Sequence, residues 1–285
     1  MSKTAGWING FLGVLIFSGS LPATRLAVID IDPTFLTMAR ATIAGLIGLL
    51  LLLAFRAPFP RRNDVISLIV VALGVVVGFP LLTGIALQHM TSAHAIVFIG
   101  LLPLSTALFA VLRGGENPRP LFWLFSVVGG LIVASYAYGQ GSQSTLLGDV
   151  LMLGAIIVCG LGYAEGASLS RRLGGWQVIC WALVFSLPVM LPLSFMTRPE
   201  TWGNIGVMAW GGLAYVTLFS MLIGFFFWYR GLAQGGAAAV GQLQLLQPFF
   251  GLMLAASIAG EVVSMGMVLT AGVVVLCVAG AKRFA

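Results

Sequence analysis

Few side chains in this sequence can do chemistry, and those few stand inside long apolar runs. Glu165 is the clearest case, deep in an uncharged stretch of a chain with only eight acids. An ionised carboxylate in hydrocarbon costs several kcal/mol unless it is paired or faces water. Glu165 therefore reads either as a proton carrier or partner for a substrate ammonium, or as a structural carboxylate. In the second case it reaches Arg171, roughly 9 Å further along a helix at 1.5 Å per residue. Arg40 also sits in an apolar run. It can bind a carboxylate, and an internal salt bridge or carbonyl contact competes with that role. Gln242, Gln244 and Gln247 form a third polar group. Gln244 and Gln247 share a helix face, whereas Gln242 lies about 200° from Gln244. Amides donate and accept, which suits a zwitterion without burying a full charge, and Gln244 is taken as the one facing a cavity. His89 and His94 are the only histidines, and His94 reads as a helix-end residue. HExxH, GxSxG and P-loop motifs are absent. No catalytic set, metal site or cofactor is expected, and any driving force must come from a gradient.

Binding in an apolar medium needs polar groups or broken backbone at depth. Phe17 is followed by Ser18, Ser20, Pro22 and Thr24, and Pro22 removes a backbone bond and frees a carbonyl. Gly78-Phe79-Pro80 and Thr83 repeat the pattern in a second run. Tyr215, Phe219 and Ser220 mark a third, and Tyr163 stands beside Glu165. The expected cavity set is Phe17, Ser18, Ser20, Pro22, Phe79, Thr83, Phe98, Tyr163, Tyr215, Phe219 and Gln244, with Glu165 as the coupling candidate. Kinks repaired by neighbouring hydroxyls and lipid-facing packing are the competing readings. Trp228-Tyr229 reads as an interfacial belt.

The elements that hold these residues must lie in lipid. Hydrophobic residues make up 60% of the 285 and charged residues 8%, against about 25% charged in a soluble domain. The net charge of +6 comes from short basic clusters between apolar runs, so nucleic acid is not the partner. The three cysteines, Cys159, Cys180 and Cys277, lie in apolar runs and read as small buried hydrophobes. The first apolar run is expected to be a retained helix. Ten spans are predicted, near 5–25, 33–55, 65–88, 92–112, 119–138, 148–170, 176–196, 206–230, 236–258 and 262–281. They place eleven basic residues on the side of the termini and two, Arg25 and Arg198, on the other, with Arg40 inside a span. That asymmetry predicts cytoplasmic termini.

One stretch occurs twice. Gln88 to Glu116 matches Ala233 to Glu261 at an offset of 145 positions. Pro103 then overlies Pro248, Gly115 overlies Gly260, and Glu116 overlies Glu261. Five spans per half is an odd number, so the second copy enters the membrane upside down. The expected fold is an all-α integral membrane protein of ten transmembrane helices, arranged as two inverted five-helix repeats around a central cavity. The repeats are placed at 1–140 and 141–285. Most glycines read as helix-packing positions. Gly129-Gly130 and Gly272 offer a dimer face that nothing in the sequence demands, so no oligomer is required.

Several local marks go with this pattern. They are Gly13 to Arg25, Arg40, Leu87-Gln88 with Thr91-Ser92-Ala93 leading to Pro103, Arg171-Arg172, and Tyr229 to Ala233 leading to Pro248 and Glu261. Together they resemble the drug/metabolite transporter superfamily, EamA-like, and within it the YddG-type amino-acid exporters of bacterial inner membranes. The resemblance implies efflux of aromatic and other neutral amino acids from the cytoplasm, with amino acids and the lipid bilayer as the only partners. An exporter of drugs, nucleosides or sugar derivatives is the alternative in the same class. An intramembrane enzyme or a non-transporting assembly protein is the alternative from another class.

Overall fold

The structure is a computed structural model; it describes residues 3–90, 95, 98–139, 145–247, 249–251, 253–254 and 265–285. Pro248, Gly260, Glu261 and His94 lie outside the described residues. Among the described residues the secondary structure is helical apart from turns and short links. That is the expected answer to hydrocarbon, where a helix satisfies its own backbone polar groups. In chain order the elements are α1 (Lys3–Ser18), α2 (Ser20–Ala27), α3 (Pro33–Ala54), α4 (Arg62–His89), α5 (Leu102–Gly114) and α6 (Pro120–Gly139). They continue with α7 (Leu146–Leu173), α8 (Gly175–Met196), α9 (Val207–Gly235), α10 (Ala237–Gly241) and α11 (Met265–Phe284). Six stretches are long and apolar enough to cross a membrane: Thr4–Ala27, which joins α1 and α2, and the helices α3, α4, α7, α8 and α9. α5 and the Pro120–Tyr136 part of α6 are shorter apolar helices.

Local sequence sets the ends of these helices. Asp32 caps α3, its Oδ1 accepting from the backbone N–H of Thr34 at 2.8 Å and of Phe35 at 3.2 Å. Pro33 follows at a position where no N–H is needed. Gly174 and Gly236 each have φ of 90° and join one helix directly to the next, a backbone state that a side chain would oppose.

Three long elements are irregular in the middle. The first is broken at Gly19, between α1 and α2. α4 widens into a π segment at Ala72–Gly78 and α9 into another at Val216–Ile223. Adding 145 to 72 and 78 gives 217 and 223, so the two π segments fall at matching places along the chain. A π turn inserts a residue and rotates everything beyond it, and such turns recur at functional sites.

Packing follows a reciprocal scheme. α1 lies on α9 and α4 on α7, α3 lies on α8, and α6 lies on α11. Small residues set the close approaches. A Cβ at Gly231 would sit 2.5 Å from the Gly10 backbone nitrogen, and one at Gly6 would sit 2.6 Å from that of Gly235. Gly48 faces Cys180, and Gly74 faces the Gly162 backbone. Gly129 packs inside the molecule against Leu245 and Cys277, whereas Gly272 opens onto free space. Leu50, Leu73 and Leu276 stay more than half exposed, an outer surface suited to lipid chains.

Both ends of the described chain meet on one side, where Lys282 Nζ stands 4.5 Å from the centre of the Trp7 ring. Trp228 and Tyr229 correct the belt expectation. Both are fully buried, because they lie on the face of α9 that α1 and α7 cover, and the Tyr229 hydroxyl donates to the Gly162 carbonyl at 3.1 Å.

Candidate functional site

A small cavity lies where the irregular elements converge. Its walls are Phe17, Ser20, Leu21 and Thr24 around the α1–α2 break, Arg40 of α3, and Val75, Phe79, Pro80 and Thr83 of α4. Ile99 and Leu102 come from the entry to α5, Cys159 and Tyr163 from α7, Ser220 and Phe225 from α9, and Gln247 from beyond α10. The free space is about 40 Å³, room for a few waters and well below the few hundred Å³ of a typical ligand pocket. A solute enters only if the walls separate.

The break in the first span is what exposes polar groups here. Pro22 has no N–H, so the Ser18 carbonyl loses its helical donor, and Gly251 lets the facing segment come close to it. The Phe17 carbonyl accepts from Gln247 Nε2 at 3.3 Å, and the Ile16 carbonyl accepts from the Tyr215 hydroxyl at 2.8 Å. Ser20 donates to Ser220 Oγ at 2.8 Å across the cavity. Arg40 Nη2 reaches the same Ser220 oxygen at 3.5 Å, the outer limit of a hydrogen bond. Arg40 Nε and Thr83 Oγ1 are buried and have no partner among the described residues.

On the side of the chain termini the floor is aromatic. Phe17 meets Phe225 edge-on at 5.1 Å between ring centres and Trp228 at 6.1 Å. Tyr163 meets Trp228 at 5.4 Å. Ion pairs join helices around this floor. Glu165, buried on α7, takes Arg113 of α5, with Nε at 2.6 Å and Nη2 at 2.5 Å from Oε1. Arg171 pairs with Glu116 at 3.0 Å, and Arg172 pairs with Asp64 of α4. Glu116 also accepts from the backbone N–H of Ala237 and Ala238, each at 2.8 Å. It thereby caps α10, where a carboxylate suits the positive end of the helix dipole.

The structure thus gathers five of the named residues at the cavity: Phe17, Ser20, Phe79, Thr83 and Tyr163. Ser18 turns back to the Val14 carbonyl at 2.7 Å. Pro22 shapes the break without lining the space. Phe98 packs against the core beside the cavity. Tyr215 is occupied with Ile16 and stacks on Phe219, which is 45% exposed on the outer surface. Gln244 is fully buried among the helices, and Gln247 is the amide that borders the cavity. Glu165 is bound to Arg113 and not to Arg171. Arg40, Ser220, Phe225, Cys159 and Gln247 were outside the named set. For Ser220 the missing signal was the π segment, which turns it inward while its neighbour Phe219 faces out.

Long apolar helices around a small, largely apolar cavity with a few polar groups define a multi-pass membrane protein. The EamA-like transporter family model matches residues 4–136 and again residues 146–281, and the chain belongs to that family. It is 68% identical over 286 residues, covering 100% of both chains, to the uncharacterized transporter YdeK of Bacillus subtilis (strain 168). It is 24% identical to an uncharacterized transporter of Archaeoglobus fulgidus, over 84% of both chains. A solved crystal structure, 20% identical, superposes on 100% of both chains with a TM-score of 0.81, which speaks to the fold. Transport across a membrane is the coarse function these findings support.

Proposed function

We propose that this protein is a secondary active exporter that moves aromatic and other neutral amino acids out of the cytoplasm. Two bundles, residues 1–140 and 141–285, are inverted copies of one five-helix unit and rock against each other about the central cavity. The observation that carries this reading is the small cavity between broken helices drawn from both halves. Three further features support it. The π segments of α4 and α9 match at the 145-residue offset, the packing of the halves is reciprocal, and the family model matches twice. Aromatic walls beside hydroxyl, amide and guanidinium groups suit a small amphipathic solute. The excess of basic residues on the side of the termini supports a cytoplasmic location for both, in a bacterial-type inner membrane. Glu165 is the group through which a proton gradient would act.

The test is flux into sealed vesicles with labelled phenylalanine, threonine and a cationic drug. Saturable movement of an amino acid, enhanced by an imposed pH gradient, is expected. Saturable drug flux without amino-acid flux would move the assignment to the drug-exporting branch.

A further inference from the structure

Arg40 is a cation without a counterion among the described residues. Its side chain is buried seven residues into α3, about 10 Å from the start of the helix, and its residue exposure is 7%. Among the described residues no carboxylate pairs with it, and the acids beside the cavity floor are engaged elsewhere, with Arg113, Arg171 and Arg172. It reaches Ser220 only at the outer limit of a hydrogen bond, and its Nε has no partner among the described residues. A buried cation left in this state is disfavoured until an anion joins it. Thr83 lines the same cavity and its Oγ1 is also unpartnered among the described residues, so the site holds a second donor.

We infer that Arg40 anchors a carboxylate of the transported solute, and that the site selects small apolar monocarboxylates, amino acids among them. The inference rests on the transport reading above and narrows its substrate class. A guanidinium presents a planar fork that matches a carboxylate with two parallel hydrogen bonds. One cation balances one negative charge, so a monoanion leaves the closed cavity neutral, whereas a phosphate dianion would not. Phe79, Phe17 and Tyr163 then receive the apolar body. No acid borders the cavity among the described residues, so an ammonium group on the solute is not required and, where present, has only hydroxyl, amide and carbonyl oxygens to meet it.

The experiment uses the purified full chain. Its thermal unfolding in detergent is followed with 3-phenylpropanoate, L-phenylalanine or phenethylamine, and the same compounds compete for labelled phenylalanine flux in proteoliposomes. The two acids are expected to raise the melting temperature and to compete, while phenethylamine does neither. Arg40→Met should abolish the response to the acids, and Arg40→Lys should retain it at least about tenfold more weakly. If Arg40→Met does not fold, the lysine variant and the discrimination by the wild-type protein decide. Phenethylamine acting as well as 3-phenylpropanoate, or an unchanged response in either variant, would overturn the inference. So would the absence of any stabilisation by monocarboxylates. If phenylalanine is not moved but 3-phenylpropanoate still stabilises the protein through Arg40, the amino-acid reading fails and the carboxylate anchor stands.

Discussion

Glu165 Oε1 lies 2.6 Å from Arg113 Nε, joining α7 to the end of α5. The carboxylate side chain is 7% exposed and the guanidinium 52%, so only the acid depends on the pair for its charge. Neutralising each partner should therefore have unequal effects. Glu165→Gln leaves a half-solvated arginine, and the protein is expected to express and melt nearly as the wild type. Arg113→Gln leaves a buried carboxylate unpaired, at a cost on the order of a few kcal/mol. Melting of both variants in detergent checks the order. If protons act through this acid, flux by Glu165→Gln loses its pH dependence. Unchanged pH dependence would leave Glu165 as a staple between helices.

Glu116 holds the start of α10 and Arg171 together. In alternating access, such a contact favours the state closed on the side of the termini. Glu116→Ala removes a helix cap, about 1 kcal/mol, which corresponds to roughly a fivefold shift in population. A cysteine introduced at Ser20 should then react faster with a thiol reagent applied from that side. Equal rates in both backgrounds would deny Glu116 any gating role.

Gly231 marks where α9 touches α1. A valine there must push against the Gly10 nitrogen and the Gly6 carbonyl, which are backbone and cannot swing aside. Gly231→Val is expected to destabilise by about 1–3 kcal/mol or more and to yield aggregated material on size exclusion. Gly272→Ala, where the space is open, should elute as the wild type.

Sidedness gives a test of the inverted arrangement. Cysteines at Gly115 and at Ala285 should react with an impermeant reagent from the same face of the membrane. A cysteine at Gly260 should react from the opposite face. Labelling of 115 and 260 from one face would remove the inverted repeat.

The residues named in advance show what a linear pattern can carry. Ser20 and Thr83 were legible because hydroxyls stand out in apolar runs, and Phe79 because it stands between the breakers Gly78 and Pro80. Phe219 and Ser220 were not separable in the same way. They are adjacent, about 100° apart on a helix, and the sequence alone does not say which one turns inward. The structure has Ser220 on the cavity and Phe219 on the outer surface, both within the π segment of α9. The partner of Glu165 is a similar case. Arg171 is near in sequence, but Arg113 is brought to it by the packing of α5 against α7.

Composition alone determined that the chain lives in lipid, because a chain with 8% charged residues cannot build a wettable surface, and only self-satisfied helices survive in lipid. Tertiary structure decided which few polar groups meet. A hydrocarbon interior rewards no polar residue singly, and the neighbouring helices supply partners to some, such as Glu165 and Ser20, but not to the Gln242 amide or the Thr83 hydroxyl among the described residues. In Arg40's case they leave its Nε with none among the described residues.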